Sequence, residues 1–412
     1  MATDRGRGVF YGWIVLAASF LIVVSAQGLT YSFAVFMSSL EEDFGWSRGM
    51  TSVVPAVTGL VHGPSTLLSG WLTDRYGPKP IVITGAFFIG LGLLLASRIT
   101  EPWQMFVFYS LMVGFGTSCS YVPLAATVSR WFMARRGLAL GILTSGIGLG
   151  TVIMPPLARY LISAYDWRTS FLVMGCAVAA VLLAASFLLK KQPEDIGARA
   201  YGDAGDRQGG RSSEQLEGLT LRQTVRTGSF WILITSLTIF TVALMMVMYH
   251  LVVYAEDKGI PGQTAATFLS VVGISNILGR LSIGTVSDRV GKKPLFIFCL
   301  LLQAVMMFWL IRSGSVWMFY MFAAIWGFGY GGVGPMIPGM TGELFGVREM
   351  GSIFGLVTLT LCLGGAAGPV IAGFIEDATG SYFVAFVLGA VLLCLSALGI
   401  SRLRVPARGH AS

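Results

Sequence analysis

The chain has 412 residues, of which 55% are hydrophobic and only 12% charged, and its mean hydropathy is +0.75. Lipid, not water, is therefore the solvent for most of it. The net charge of +8 does not point to a nucleic-acid partner, because the cations collect in one set of loops instead of forming a continuous basic face.

Continuous apolar stretches of helical crossing length recur along the whole chain, at about 10–38, 50–73, 80–98, 103–128, 137–162, 168–189, 229–255, 264–287, 294–311, 316–341, 350–375 and 382–401. Continuity instead of alternation rules out a membrane β-barrel. The expected fold is an all-α membrane protein of twelve transmembrane helices. The 53 glycines suit helices that pack closely in lipid.

The first stretch is long and leads straight into further spans, so it is expected to act as an uncleaved insertion signal. It carries Gln27 and Tyr31. A charged loop follows the second stretch, with Asp74, Arg75 and Lys79. Tyr121 lies in the fourth stretch and Ser145 in the fifth, with Arg135 just before it. Residues 191–228 are polar, Gly-rich and short of large apolar side chains, so they read as a linker between a bundle at 1–190 and a second at 229–412. His250, Glu256 and Asp257 close the seventh stretch. Arg280 and Asn276 share a face of the eighth, one helical turn apart. Asp288, Arg289 and Lys292 follow it. Tyr330 lies in the tenth stretch, and Thr358 and Cys362 in the eleventh.

The two halves match at a constant offset of 214 residues. Gly70, Asp74, Arg75, Gly77, Lys79 and Pro80 correspond to Gly284, Asp288, Arg289, Gly291, Lys293 and Pro294; Gly137, Gly141, Gly150 and Pro155 correspond to Gly351, Gly355, Gly364 and Pro369. Such a register is an internal repeat, and repeated bundles with a site between them are the architecture of secondary transporters. Of the 28 Lys and Arg, all but seven fall in the tails and loops on the side of the termini. That asymmetry predicts a multi-pass protein of the cell membrane with both termini cytoplasmic.

The pattern G-x-L-x-D-R-x-G-x-K-P at Gly70–Pro80, echoed at Gly284–Pro294, resembles the signature of the major facilitator superfamily. Tyr11-Gly12-Trp13 and the run from Arg130-Trp131-Phe132 to Gly141 are similar to the monocarboxylate porter family, which includes proton-linked lactate transporters and oxalate–formate exchangers. The resemblance spans the chain and implies two pseudo-symmetric six-helix bundles. It also implies that Arg280 is the substrate-binding arginine of the eighth helix. Three features depart from relatives: Asn276 stands where the proton-linked members carry an aspartate, no lysine occurs between Gly12 and Ser39, and no Lys or Arg follows Arg348 in the eleventh helix. These favour a monocarboxylate over a dicarboxylate.

Arg280 stands eight residues before Asp288, about 12 Å from the helix end at ~1.5 Å per residue. A guanidinium at that depth keeps its charge and needs an anion. Around it, Asn276, Tyr121, Tyr330, Ser145, Cys362, Thr358 and Gln27 are the expected substrate contacts. His250, Asp257 and Glu256 are the proton-coupling candidates, and His62 is a weaker one. Asp74, Arg75, Lys79, Asp288, Arg289, Lys292 and Arg135 form the expected cytoplasmic gate, with Asp74 near the start of helix eleven and Asp288 near that of helix five. The expected activity is alternating-access symport of a lactate- or pyruvate-like anion with a proton, by a monomer in the lipid bilayer, with no metal and no cofactor. A carboxylate exchanger and a non-transporting receptor are the alternatives. An enzyme would need paired carboxylates, a metal cluster or an activated nucleophile within the bundle, and none is legible.

Overall fold

The computed structural model describes residues 10–132, 135–197, 199–201, 218–346 and 349–403, without the side chains of Arg136, Asp288, Met350 and Ser352. Among the described residues are twelve helices of spanning length: α1 Tyr11–Phe44, α2 Arg48–Tyr76, α3 Pro78–Ala96, α4 Pro102–Trp131, α5 Arg136–Ala164, α6 Trp167–Ser186, α7 Gly228–Asp257, α8 Gly262–Val290, α9 Lys292–Ile311, α10 Val316–Phe345, α11 Met350–Thr379 and α12 Phe383–Arg402. Eleven are long and apolar enough to cross a membrane. The exception is α2, whose serines, threonines and two prolines lower its hydropathy. Those polar residues face protein: Thr51, Ser52, Thr58, Ser69 and Thr73 are all buried. Several helices run a turn or more past the apolar stretches, because polar ends such as Glu41 to Asp43 continue the helix beyond the hydrocarbon.

The packing repeats between halves. In the first, α1 lies along α5 and α3 along α6; in the second, α7 lies along α11 and α9 along α12. The halves meet where α2 packs on α11 and α5 on α8. Close approach there depends on absent side chains: a Cβ on Gly148 of α5 would sit 2.7 Å from Ile277 of α8, and one on Gly49 of α2 would sit 2.6 Å from Asp377 of α11. Prolines lie inside α2, α5, α10 and α11, where each removes one ladder hydrogen bond and allows a bend. In α4 the segment Phe106–Val113 winds as a π-helix. This wide turn lies beside α2, with Ser110 donating to the Val54 carbonyl at 2.9 Å.

Each described end of the linker is pinned to its own half. The Tyr201 amide donates to the Trp131 carbonyl (2.9 Å), and the Leu219 amide to the Phe345 carbonyl (2.8 Å). The two family-like motifs of the first half pack on each other: the Trp13 and Phe132 rings lie 5.0 Å apart, and Tyr11 and Trp131 5.7 Å.

Candidate functional site

A cavity of about 330 Å³ lies between the halves, and Arg280 of α8 projects into it. Four other expected contacts share its wall, Gln27 of α1, Tyr330 of α10, and Thr358 and Cys362 of α11, and Tyr31 of α1 joins them. Gln27 is oriented by donation from its amide to Ser120 Oγ, 3.1 Å away in α4. Beside the guanidinium is Gly334, where a Cβ would come within 3.2 Å of Arg280 Nη2. The glycine thus provides the room that the cation occupies.

The electrostatics of this wall are one-sided. Among the described residues no Asp, Glu or Lys lines it, and Arg280 Nε is buried with no hydrogen-bond partner. A fixed positive charge in a weakly polar enclosure without a counterion is costly, and a bound anion removes that cost. The remaining wall is mainly apolar, from Phe240, Leu244, Met245, Val333, Ile337 and Leu361. Its volume and lining suit a small amphipathic solute.

Three expected contacts lie elsewhere. Asn276 is buried beside Tyr330 in a crevice between α5, α7 and α8, and its Nδ2 has no partner; helix rotation turns it off the cavity wall although it is one turn from Arg280. Ser145 donates to the Ile142 carbonyl of its own helix at 2.7 Å, and neither it nor the half-buried Tyr121 is on the cavity wall. Residues missed as contacts include Thr30, Thr58, Thr117, Thr241 and Tyr249, together with His62. No periodicity distinguishes these from packing residues, since hydroxyls in membrane helices more often bond their own backbone. Thr58 does so too, donating to the Val54 carbonyl.

A larger cavity, about 710 Å³, opens at the face opposite the termini. Apart from Glu42, the charges that line it are paired, and pairs from Arg48 and Arg159 join the two halves. Arg48 at the start of α2 forks onto Asp257 of α7, with Nη1 donating to Oδ2 at 2.5 Å and Nη2 to Oδ1 at 2.6 Å. Arg48 Nε also lies 3.4 Å from Glu41 and 3.7 Å from Glu376. Arg159 of α5 pairs with Glu256 at 3.0 Å. The Asp377 carboxylate accepts from the Arg48 and Gly49 amides at 2.9 and 2.8 Å, so an acid of the second half caps a helix of the first. Asp257 and Glu256 are therefore latch partners in this state rather than free vestibule acids. Arg48 and Arg159 look in sequence like ordinary loop-side cations, which is why the latch is not legible there.

His250 belongs to the same cluster. It is fully buried; Nε2 donates to the Pro369 carbonyl at 2.9 Å, and Nδ1 accepts from the Tyr382 hydroxyl at 2.8 Å. A carbonyl can only accept, so the network assigns the proton of the neutral ring to Nε2. Arg48 Nη1 donates to the same hydroxyl at 3.0 Å. Tyr382 lies just before α12, and its hydroxyl accepts from Arg48 while donating to the histidine. Both ring nitrogens are satisfied, and the ring lines neither cavity.

At the terminal face the described ion pairs stay within a half. Asp74 accepts from Arg130 of α4 at 2.5 Å, and its carbonyl from Lys191 at 2.6 Å. Lys292 pairs with Glu343 of α10. Arg75 lies over the Trp71 and Tyr76 rings, and Lys79 over Phe187. Arg135 and Arg289 are exposed. Asp74 was expected near the start of α11; here it is held in its own half, because the halves are fastened together at the opposite face. The Asp288 side chain lies outside the described residues, so its expected place near α5 is not seen.

The model of the Major Facilitator Superfamily matches residues 18–293 and 277–412. The chain belongs to the Major Facilitator Superfamily. Within that superfamily it is similar to monocarboxylate transporter 13 of Bos taurus, 28% identical over 95% of this chain and 89% of the relative. It is likewise similar to monocarboxylate transporter 11 of Homo sapiens, 28% identical over 93% and 81%, and to monocarboxylate transporter 12 of Rattus norvegicus, 24% identical over 97% and 86%. Two solved structures share the fold. One is a bacterial homolog of the human lysosomal transporter Spinster (TM-score 0.70, 14% identity, 97% of this chain and 95% of that one). The other is the nucleoside transporter NupG (TM-score 0.74, 13% identity, 94% and 99%). The chain is thus a superfamily transporter related to monocarboxylate transporters, a multi-pass protein whose surroundings are the bilayer.

Proposed function

We propose that this facilitator carries small monocarboxylates of the lactate and pyruvate type across the cell membrane together with one proton, by alternating access. One observation carries the reading: Arg280 is a cation with a partnerless Nε in a central cavity whose wall holds no acid. A carboxylate offers two oxygens to the fork of a guanidinium, and the apolar wall accommodates a short carbon chain. The resemblance to monocarboxylate transporters supports the same substrate class. With the termini in the cytoplasm, the fastened face is outside, and the state described is closed outward.

Proton coupling follows from energetics. A cytoplasm-negative potential opposes entry of an anion by about 2.3 kcal/mol per charge per 100 mV, and a co-transported proton cancels that work. The exchanger alternative keeps one supporting observation, the lack of any carboxylate on the cavity wall, because exchange needs no proton site. Uptake of a radiolabelled carboxylate panel into proteoliposomes decides between them. Symport predicts concentrative lactate or pyruvate uptake under an inward proton gradient. Counterflow without net gradient-driven uptake selects exchange, and no flux of any carboxylate removes the reading.

A further inference from the structure

The cavity that contains Arg280 also contains a histidine, from the other half. His62 of α2 is on its wall, with Nδ1 3.2 Å from Thr117 Oγ1 of α4. The Thr117 hydroxyl donates to the Gly114 carbonyl at 3.1 Å, so its oxygen is left to accept. Nδ1 then carries the hydrogen of the neutral ring, and the Nε2 lone pair has no protein partner among the described residues. His250 is the reverse case, with both nitrogens taken.

We propose that His62 Nε2 is the site that holds the co-transported proton beside the bound carboxylate. This rests on the monocarboxylate reading and deepens it. The groups facing His62 across the cavity are Arg280 of α8, Tyr31 of α1, Tyr249 of α7, Tyr330 of α10 and Cys362 of α11; Thr117 faces it from α4. None of them is a carboxylate. On its own helix the charged residues stand at the ends, Arg48 in the latch and Asp74 with Arg75 at the terminal face. In the empty cavity Arg280 therefore opposes a second positive charge, and the imidazole is neutral. A carboxylate bound at Arg280 reverses that field. Water on the far side delivers a proton to the Nε2 lone pair, the imidazolium and the guanidinium share the anion, and the proton returns to water when the anion leaves. Because the two cations come from opposite halves, a shared anion also draws the halves together. Linkage makes the coupling mutual: the proton raises affinity for the carboxylate by the factor that the carboxylate raises affinity for the proton.

Purified wild-type protein and His62→Gln are compared for L-lactate affinity between pH 5.5 and 8, for proton uptake on lactate binding, and for gradient-driven lactate accumulation in proteoliposomes. Wild type is expected to bind lactate about tenfold more tightly at the acid end and to take up a proton per lactate. In His62→Gln the affinity becomes flat with pH at the weaker value that the wild type shows at the alkaline end, proton uptake vanishes and accumulation is lost. The proposal is overturned if the variant keeps the wild-type pH dependence and accumulation. Should the variant not fold, wild-type proton uptake is measured with Thr117→Val, whose loss of the Nδ1 partner is expected to move the pH midpoint; an unmoved midpoint overturns the proposal. Wild type that exchanges lactate without binding a proton overturns it while leaving the carboxylate site intact. Wild type that binds no carboxylate removes both readings.

Discussion

At the residue scale, charge and shape of the proposed binding group, Arg280, can be separated. Arg280→Lys keeps the charge but replaces a planar fork with a compact ammonium. Lactate uptake is expected to fall by at least about tenfold, equivalent to the loss of one charge-assisted hydrogen bond of about 1.5–3 kcal/mol. Retained affinity for lactate in that variant would remove Arg280 from the site. His250 tests the opposite claim. His250→Phe keeps an aromatic ring but leaves the Tyr382 hydroxyl and the Pro369 carbonyl without their partner, each at about 1–3 kcal/mol. A lower thermal unfolding midpoint with preserved acid stimulation of uptake is expected, and loss of that stimulation alone would return the proton site to His250. Arg280 was legible because a lone cation in an apolar stretch is conspicuous one residue at a time. His62 stood in the sequence only as a weaker proton-coupling candidate, because its surroundings depend on the Thr117 hydroxyl and on a cavity built from both halves.

At the element scale, the helix pairs α2–α11 and α5–α8 decide which face is closed. Arg48 draws α2 onto α7 and α11, and Arg159 draws α5 onto α7. Asp257 is partly exposed, so its pair with Arg48 is screened, and breaking it is expected to shift the closed-to-open balance by about 1 kcal/mol or less. That is enough for a change of roughly twofold to fivefold in the open population. A cysteine at Ser39, which lines the far-face vestibule, reports the shift. In Asp257→Asn its alkylation by an impermeant maleimide is expected to accelerate by that factor. An unchanged rate would mean that the pair does not hold the gate. The repeated loop motifs gave the positions of Asp74 and Lys292 but not their partners. Their described partners, Arg130 and Glu343, stand 56 and 51 residues away in the chain, so the pairing depends on helix packing.

At the scale of the whole molecule, much was determined by the sequence alone. The recurrence of apolar stretches settles a bundle of twelve helices, since a bilayer forces backbone groups to satisfy each other within a segment. The constant offset of 214 residues marks one half as a repeat of the other, and the lone arginine in an apolar stretch is the basis for proposing an anionic solute. These properties are local or periodic, so they can be read along the chain. Helix rotation, the partners of each charge and the closed face are neither. Asn276 and Arg280 are one turn apart, yet only the arginine reaches the cavity; Arg48 and Asp257 are far apart in sequence, yet they form one latch. Such relations arise when two bundles pack against each other, and only the tertiary structure decides them.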